Sequence, residues 1–531
     1  MLRPLTRRPL TARATIDISS TAEAGRRPGE RRAPERELFG HPFGLATLFL
    51  TEMWERFSFY GMRAILILYM TDSLHGGLGW DIQKSSAVYG LYTFGVYALG
   101  LPGGWIADRL IGQRRSVLCG GIIIALGHFT LAAPHLWTFF AGLLLVMIGT
   151  GLLKPNVSAI VADLYPEGGA RRDAGFSIFY MGINTGAVIG QFICGFLGEK
   201  VGWHWGFGAA GVGMTLGVIQ YAAGRRHLLG CGEVPADYSG SAQQRSAWRQ
   251  FFLGITIVVA LVGVISSLDL SGVQFSLQMG GAAFQLLPLS FLSFAQATGA
   301  LIAVICVVYF AATMGFACHD GVERRRVAMI FLLFLAAAVF WSGFEQMGSS
   351  MNLFARDFTD RIIFGWQMPA SWLQNVDPLF IILLAPVIGQ LWVSLGARNP
   401  SIPVKFGMGL ALLGTGFLVL AWGATYIHSG KVSPMWLVVT YFFTTVGELC
   451  LSPVGLSSVT KLSPTRMVGQ MMGMWFMGSA LGNLIAGLVA GYLQHMQQDT
   501  LFAMVALTSV ATGLLFLILA RPIQWLAVGV R

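Results

Sequence analysis

The chain has 531 residues, of which 55% are hydrophobic and only 11% are charged, and its mean hydropathy is +0.65. This composition excludes a soluble protein of two or three domains and indicates a polytopic membrane protein. The net charge of +10 does not indicate nucleic-acid binding, because the basic residues lie in short runs between apolar segments and form no basic stripe. The expected surroundings are therefore a lipid bilayer, without nucleic acid.

Residues 1–40 are rich in arginine and proline and contain no apolar core long enough for a signal peptide. They are predicted to form a disordered cytoplasmic tail, although an over-called start codon explains them equally well. The six cysteines are scattered, with no Cys-x-x-Cys spacing. Neither a disulfide framework nor a metal site is indicated.

Fourteen apolar segments are long enough to cross a bilayer as helices. The two between 249 and 316 are the least certain, because the residues that separate them are themselves fairly apolar. The predicted spans lie near 43–70, 86–107, 116–133, 137–160, 174–198, 205–223, 249–267, 293–316, 327–350, 373–396, 404–424, 434–457, 467–492 and 498–520.

The placement of lysine and arginine orients these spans. With a cytoplasmic amino terminus, eighteen of these residues fall in inner segments besides the tail, and only five fall in outer segments. This excess also favours an even number of spans. We expect a multi-pass protein of the cell (inner) membrane with both termini in the cytoplasm.

Two short patterns recur at a nearly constant distance along the chain. The pattern around Gly182 returns around Gly478, 296 residues later, and the pattern around Pro155 returns around Pro453, 298 residues later. A parallel repeat of six helices, with a substrate site between the halves, is the plan of the major facilitator superfamily. The glycines of the repeat are expected to let neighbouring helices approach closely.

The repeat predicts an all-α membrane protein with the major facilitator superfamily fold. The predicted chain comprises the tail at 1–40, an amino-terminal six-helix bundle at 41–230, a linker with two extra transmembrane helices at 231–320, and a carboxy-terminal six-helix bundle at 321–531.

The loop after the second predicted span supports the same superfamily. Its run Gly104-Trp105-Ile106-Ala107-Asp108-Arg109 is similar to the superfamily's loop signature, in which the acid braces the cytoplasmic ends of neighbouring helices. Asp108 and Arg109 are therefore candidate gating residues. A plain topology determinant is the alternative, and the pattern carries no information on the substrate.

The first predicted helix carries all of its charges on one face. At about 100° per residue, the positions of Glu52, Glu55, Arg56, Tyr60 and Arg63 span an arc of roughly 140°. Each ionised side chain near the bilayer centre costs roughly 2.5–3.5 kcal/mol. Glu52 and Arg56 are four residues apart, which favours an intrahelical ion pair. The face indicates a functional site, and a purely structural ion network is the alternative.

Four other predicted spans each carry an isolated charge: Lys154, Glu345, Asp377 and Glu448. Together with the first helix, the spans hold five acids and three bases. At least one acid must then be neutral or be paired with a group outside the chain. A carboxyl that binds and releases a proton is the natural candidate.

Several runs resemble the proton-dependent oligopeptide transporter family. The first-helix motif is highly specific, the resemblance extends from about His41 to Ala520, and bacterial members of this family also have two extra helices between the halves. The runs are Glu52-x-x-Glu55-Arg56-Phe57-Ser58-Phe59-Tyr60, Gly151-Leu152-Leu153-Lys154-Pro155-Asn156-Val157, Gly182-Ile183-Asn184-Thr185-Gly186, Phe340-Trp341 leading to Glu345-Gln346, Gly447-Glu448-Leu449-Cys450-Leu451-Ser452-Pro453, and Gln470-Met471-Met472-x-Met474-Trp475.

The resemblance implies that protons act on the first-helix cluster, which exchanges salt bridges with Lys154. It also implies that Glu345, when ionised, pairs with Arg63 to hold an outer gate, and that protonation of Glu345 releases the pair. The residues expected to couple protons to transport are Glu52, Glu55, Arg56 and Glu345.

The implied substrate is a di- or tripeptide, which is a zwitterion and requires opposite charges at opposite ends of its pocket. The resemblance implies that Arg63 and Lys154 hold the peptide carboxylate and that Glu448 holds its ammonium group. The other residues expected to bind substrate are Tyr60, Tyr97, Asn184, Trp341, Trp475 and Ser479.

Three features depart from the common family pattern. Phe59 stands where the signature usually has a tyrosine, so a hydroxyl contact is absent. Asp377 stands where relatives commonly have asparagine, and we expect it to pair with an outer-gate base or to titrate. The second helix has no histidine, so proton coupling must depend on carboxylates.

The sequence therefore predicts a proton-coupled symporter that imports di- and tripeptides by alternating access, with the proton as coupling ion and no other cofactor. Transport of another small metabolite such as nitrate, or a peptide sensor that does not transport, are the alternatives. An enzyme is not indicated, because the sequence has no nucleophile with its base, no metal cluster and no phosphate-binding loop.

Overall fold

The structure is a computed structural model that describes residues 37–166, 169–228, 230–233, 241–267, 277–279, 282–284 and 291–529. Residues 1–36 of the predicted tail and most of the segment between the two extra helices lie outside the described residues.

A short hairpin precedes the first helix. Strand β1, Glu37–Leu38, pairs antiparallel with strand β2, His41–Pro42. The last residues of the predicted disordered tail are therefore part of a hairpin. Arg171 anchors this hairpin through an ion pair of 2.7 Å with Glu37.

The amino-terminal half, defined here as the helices up to residue 224, contains seven α-helices in the part of it that the structure describes. Helix α1 packs against α6 and α7, and α4 packs against α5 and α7. A short α3 follows α2 after Leu99 and leads into a π-helical turn. The bounds are α1 Phe43–Thr71, α2 Ile82–Ala98, α3 Gly100–Ile106, α4 Gln113–Leu131, α5 Leu136–Asp163, α6 Gly169–Phe196 and α7 Trp203–Gly224.

Two connecting helices and a hairpin link the halves, with bounds α8 Ser241–Ser267, β3 Leu277–Met279, β4 Ala282–Phe284 and α9 Phe291–Ala312. The carboxy-terminal half is defined as the elements from residue 321 onward. Its bounds are α10 Gly321–Phe344, α11 Ser350–Asp357, β5 Ile362–Ile363, β6 Trp366–Gln367, α12 Val376–Leu395, α13 Ile402–Ala424, α14 Met435–Leu462, α15 Val468–Gly491, α16 Gln498–Ile518 and α17 Ala520–Leu526. Helix α13 packs against α14 and α16, and α9 contacts both α2 and α15.

Each of the fourteen predicted spans overlaps a helix of the structure, although the span near 86–107 covers both α2 and α3 and the span near 327–350 continues past the end of α10. Nine helices in the described part of the chain are long and apolar enough to cross a membrane on composition alone. Helix α1 is not among them, since every 18-residue stretch of it contains at least three charges. With 29 residues it is nevertheless about 43 Å long at 1.5 Å per residue, which is enough to span the bilayer.

The repeat glycines lie where helices pack closely, as predicted. A Cβ atom at Gly186 would overlap the backbone oxygen of Met53 on α1, and a Cβ atom at Gly482 would overlap the backbone oxygen of Ala338 on α10. The corresponding helix pairs in the two halves thus approach through glycine. Their close contact holds α1, which carries four charges of the site, and α10, which leads into Glu345, against the rest of each half.

Candidate functional site

The first part of the site is the amino-terminal charge cluster, which consists of Glu52, Glu55, Arg56 and Lys154. Arg56 Nε lies 3.0 Å from Glu52 Oε1 and also forms an ion pair with Glu55. All three of these side chains are buried. The predicted pairing of Glu52 with Arg56 is therefore formed, and both partners come from a single helix.

Lys154 completes this cluster from α5. Its ammonium nitrogen lies over the ring of Tyr97, 4.1 Å from the ring centroid. It interacts electrostatically with Glu52 and Glu55, but the contact ion pairs in the described part of the chain do not include Lys154. The predicted salt bridges of Lys154 are thus replaced in this structure by a cation–π contact, which is stronger when it is desolvated.

A second ion pair joins the two halves. Arg63 on α1 pairs with Glu345, which follows directly after α10, and the two side chains are 4% and 2% exposed. Arg63 Nε also donates a hydrogen bond of 2.6 Å to the hydroxyl of Tyr89 on α2. The pairing of Arg63 with Glu345 agrees with the sequence prediction. Tyr89 was not predicted, because a contact between two helices leaves no local pattern in the sequence.

A break in a long helix positions Glu345. Helix α10 ends at Phe344, the 3₁₀ turn Glu345–Gly348 follows, and α11 begins two residues later. A Cβ atom at Gly348 would overlap the hydroxyl of Tyr89. Only glycine therefore allows this turn to approach α2 closely enough for Glu345 to reach Arg63.

The carboxy-terminal acid cluster consists of Glu345, Asp377 and Glu448. Asp377 lies in the first turn of α12, is buried, and accepts a hydrogen bond of 2.7 Å from the hydroxyl of Thr445. Glu448 follows three residues later on α14, and its Oε2 atom is buried without a hydrogen-bond partner. Glu448 interacts electrostatically with both of the other acids. The three carboxyl groups thus belong to one connected region.

A third contact between the halves lies away from both clusters. Glu199, in the π-helical turn after α6, accepts hydrogen bonds from the backbone N–H groups of Ala370 at 2.7 Å and Ser371 at 2.9 Å. It also accepts one of 2.5 Å from the Ser371 hydroxyl. These groups open the 3₁₀ turn that leads into α12, so a carboxylate of one half caps a helical turn of the other.

Further hydrogen bonds between the halves lie on the same side. Asn352 Nδ2 donates to the backbone oxygen of Ala64 at 2.8 Å, and Arg356 Nη1 donates to the hydroxyl of Thr71 at 2.6 Å. In the predicted orientation this side faces outward. The outer ends of the two halves are thus held together by polar groups from several elements.

The predicted substrate-binding residues are only partly brought together with these charges. Tyr60 lies between the two arginines of α1, with its ring centroid 5.9 Å from the Arg56 guanidinium carbon and 5.8 Å from that of Arg63. Trp341 has a buried indole N–H without a hydrogen-bond partner. A bound ligand could accept a hydrogen bond from this group.

Of the remaining three candidates, Asn184 and Trp475 make contacts within their own half. Asn184 donates to the backbone oxygen of Tyr180 at 3.1 Å. Trp475 is buried and packs edge-on against Phe406 at a centroid distance of 6.2 Å. Ser479 is buried.

The two loop residues predicted to act in gating differ in exposure. Asp108 lies exposed in the π-helical turn after α3. Arg109 lies 5.5 Å from the ring centroid of Trp105 and 3.5 Å from the side-chain oxygen of Gln250 on α8. Arg109 rather than Asp108 therefore reaches a neighbouring helix, and a gating role for either stays a prediction.

Within the described ranges, no group of three or more histidine, cysteine, aspartate or glutamate side chains is placed to hold a metal ion. The acids of the site instead face arginine, lysine, tyrosine and threonine side chains. The chemistry available to them is the exchange of protons and of ion pairs.

The fold and the site define a class of protein. Two halves of membrane-spanning helices meet at a buried network of ionisable side chains, an arrangement of polytopic membrane transporters with the major facilitator superfamily fold.

The comparisons with known proteins then define the family. The sequence profile described as "POT family" matches residues 114–263 and 304–506, and the chain belongs to this family. It is 40% identical to the peptide transporter YePEPT of Yersinia enterocolitica, over 92% of this chain and 96% of that protein. It is 37% identical to a di-/tripeptide transporter of Lactococcus lactis subsp. cremoris, over 94% of this chain and 99% of that protein.

Solved structures agree with this membership. The crystal structure of a peptide transporter POT in complex with sulfate matches with a TM-score of 0.84 and 38% identity, covering 93% of this chain and 98% of the other. A POT family transporter in complex with 5-aminolevulinic acid matches with a TM-score of 0.82 and 33% identity, covering 93% of this chain and 99% of the other.

Proposed function

We propose that this protein is a transporter, not an enzyme, and that it imports di- and tripeptides together with protons by alternating access. The observation that carries the proposal is the buried ion pair of Arg63 with Glu345, because it joins the halves through a group that a proton can neutralise. The named peptide transporters among its relatives support the choice of substrate.

The distribution of charge supports a zwitterionic substrate. The bases Arg63 and Lys154 lie in the amino-terminal half, and Glu448 lies in the carboxy-terminal half with an unpartnered carboxylate oxygen. A peptide carboxylate would pair with the two bases, and its ammonium group would satisfy Glu448. Each ion pair formed in this way compensates the cost of a buried charge.

Protonation of Glu345 is the proposed switch. Breaking a buried ion pair leaves an uncompensated charge and costs roughly 3–5 kcal/mol, so the pair of Arg63 with Glu345 resists separation of the outer ends. A proton on Glu345 removes one charge, and the peptide carboxylate then pairs with Arg63. The outer ends separate and close again around the peptide, and release of the proton to the inside restores the original pair.

We further infer that the protein lies in the cell (inner) membrane with both termini in the cytoplasm. The excess of lysine and arginine in the inner segments supports this orientation. This orientation is tested by placing a single cysteine in the 199–202 segment or in the 225–228 segment and treating intact cells with an impermeant maleimide. Only the cysteine in the 199–202 segment should react.

Uptake of labelled Ala-Ala into proteoliposomes tests the function. With an acidic exterior the peptide should accumulate above its external concentration, and without the pH gradient it should only equilibrate. Labelled nitrate in parallel vesicles should not accumulate. Binding of the peptide without uptake would establish a sensor instead, and uptake that ignores the pH gradient would exclude proton coupling.

A further inference from the structure

We propose that Asp377 makes the ammonium end of the pocket select peptides whose first residue has a basic side chain. This inference rests on the proposed function, since it concerns which peptides the site prefers. It follows from an imbalance of charge in the carboxy-terminal half and from the way Asp377 is held.

The imbalance is an excess of acid. The carboxy-terminal acid cluster has three carboxyl groups, and its contact ion pair in the described part of the chain is that of Glu345 with Arg63 from the other half. Arg63 is already paired with Glu345. Among the described residues, Asp377 and Glu448 therefore have no cation of their own, in contrast to the amino-terminal charge cluster, where two acids face two bases.

The geometry places the Asp377 carboxyl group against Thr445, one helical turn before Glu448 on α14. The Thr445 hydroxyl holds Asp377 Oδ1 at 2.7 Å, and Thr445 and Glu448 are three residues apart on α14. Residues at this spacing lie on one face of a helix with about 5–6 Å between their Cβ atoms. The Asp377 carboxyl group is thus held about one turn of α14 away from Glu448, on the side toward the start of α14.

The number of cations in the substrate then decides whether both carboxylates, Asp377 and Glu448, are compensated. A peptide with a neutral first side chain brings one ammonium group, which satisfies one carboxylate and leaves the other unpaired in a buried site. A first-residue lysine brings a second cation on a flexible four-carbon stem, long enough to reach a carboxylate one turn away, about 5.4 Å along the helix. Both acids are then compensated by a single ligand.

Competition against uptake of labelled Ala-Ala tests this preference in proteoliposomes. Lys-Ala should inhibit at about a tenfold lower concentration than norleucyl-alanine, which keeps the four-carbon chain and lacks the terminal ammonium group. A tenfold difference is typical of one charge-assisted contact. Ala-Lys should show no such advantage, because its cation lies on the second residue.

The substitution Asp377→Asn removes the charge and keeps the shape. The ratio between the two inhibitors should fall to about one, and Thr445→Val, which frees the carboxylate, should reduce it partly. If Asp377→Asn abolishes uptake, the same ratio is measured as dissociation constants by calorimetry on the purified protein.

Asp72→Asn is the matched control, because it removes another acid at the end of α1, outside the pocket. Burial raises the pKa of Asp72, but hydrogen bonds from the Trp203 indole at 2.8 Å and from the backbone N–H groups of Leu74 and His75 outweigh it, so that its pKa lies below the ordinary value. The acid is therefore ionised at neutral pH, and its removal should leave the inhibitor ratio unchanged.

The outcomes separate this inference from the proposed function. A protein that neither transports nor binds Ala-Ala contradicts peptide transport itself. A protein that transports Ala-Ala but treats Lys-Ala and norleucyl-alanine alike has a neutral Asp377, and the selectivity is then refuted. A Lys-Ala advantage that survives Asp377→Asn refutes it as well.

Discussion

The two buried charge clusters of this transporter differ in where their compensating charges come from. In the amino-terminal charge cluster, Arg56 pairs with acids of its own helix, so the cluster moves with its half as one unit. In the carboxy-terminal acid cluster, Glu345 pairs with an arginine of the opposite half, and Asp377 and Glu448 depend on a proton or a ligand. The comparison predicts that a change of state acts on the second cluster, because the ion pair of Arg63 with Glu345 joins the halves and has to break when they separate.

The substitution Glu345→Gln should have the largest effect. Glutamine keeps the shape and can still contact Arg63, but it cannot ionise, so protons lose their action on the contact between the halves. We expect proton-driven accumulation of dipeptide to be abolished, while exchange of internal for external peptide continues. Uptake and counterflow in the same proteoliposomes measure both, and Glu345→Asp, which keeps an ionisable group, serves as the control.

Undiminished accumulation by Glu345→Gln under a pH gradient would place the coupling proton elsewhere. In that case the contrast between the two clusters would no longer describe the mechanism.

The substitution Arg56→Gln tests the amino-terminal charge cluster. It leaves Glu52 and Glu55 buried next to each other without the base that pairs with both, and we expect a loss of folding stability of roughly 3–5 kcal/mol. Thermal unfolding in detergent measures this loss. The double substitution Glu55→Gln with Arg56→Gln removes one acid and one base together and should recover part of the stability. Equal unfolding of Arg56→Gln and wild type would show that the pairing within α1 is dispensable.

Glu448→Gln should have a smaller effect that is confined to substrate affinity. Loss of the charge removes one charge-assisted hydrogen bond to the peptide ammonium, so KM for Ala-Ala should rise about tenfold with little change in kcat. A dipeptide with an acetylated amino terminus has no ammonium group and should inhibit wild type and variant equally. If KM is unchanged, the ammonium group binds elsewhere.

Glu199→Gln should produce the smallest effect of the four. An amide replaces a carboxylate that accepts three hydrogen bonds from the turn before α12, and neutral hydrogen bonds are weaker than charge-assisted ones. The outward-open population should rise about two- to fivefold, which distances between spin labels at the outer ends of α6 and α12 can measure. Ser371→Ala removes one of the three hydrogen bonds and should give a smaller shift. An unchanged distance distribution for Glu199→Gln would show that the charge of Glu199 does not influence the outward-open population.

Much of the fold and part of the site could be predicted from the sequence. The fourteen helices follow from apolar length, and the charged face of α1 follows from helical periodicity, since both depend on neighbouring residues only. The pair of Arg63 with Glu345 followed from resemblance to a family rather than from spacing. Tyr89, Thr445 and Glu199 were missed because their contacts join segments that are far apart in the chain.

Lys154 was predicted as a buried base, but its contact with a distant segment could not be predicted from the sequence. Its place in a predicted span indicated a buried base that needs a partner, but several acids and aromatic rings could have provided one. In the structure its ammonium group lies over the ring of Tyr97, on a helix that the sequence could not place next to α5.

The sequence by itself determined that this is a helical membrane protein, which residues carry charge inside the bilayer, and that acids outnumber bases among them. Composition and periodicity are local properties, and a charged residue within a predicted span can be identified from the sequence alone. Only the tertiary structure decided which charges compensate one another. The break after Phe344 and the close approach at Gly348 bring Glu345 to Arg63, and Thr445 holds Asp377 close to Glu448. Ion pairing requires contact in space, and contact in space is set by helix packing.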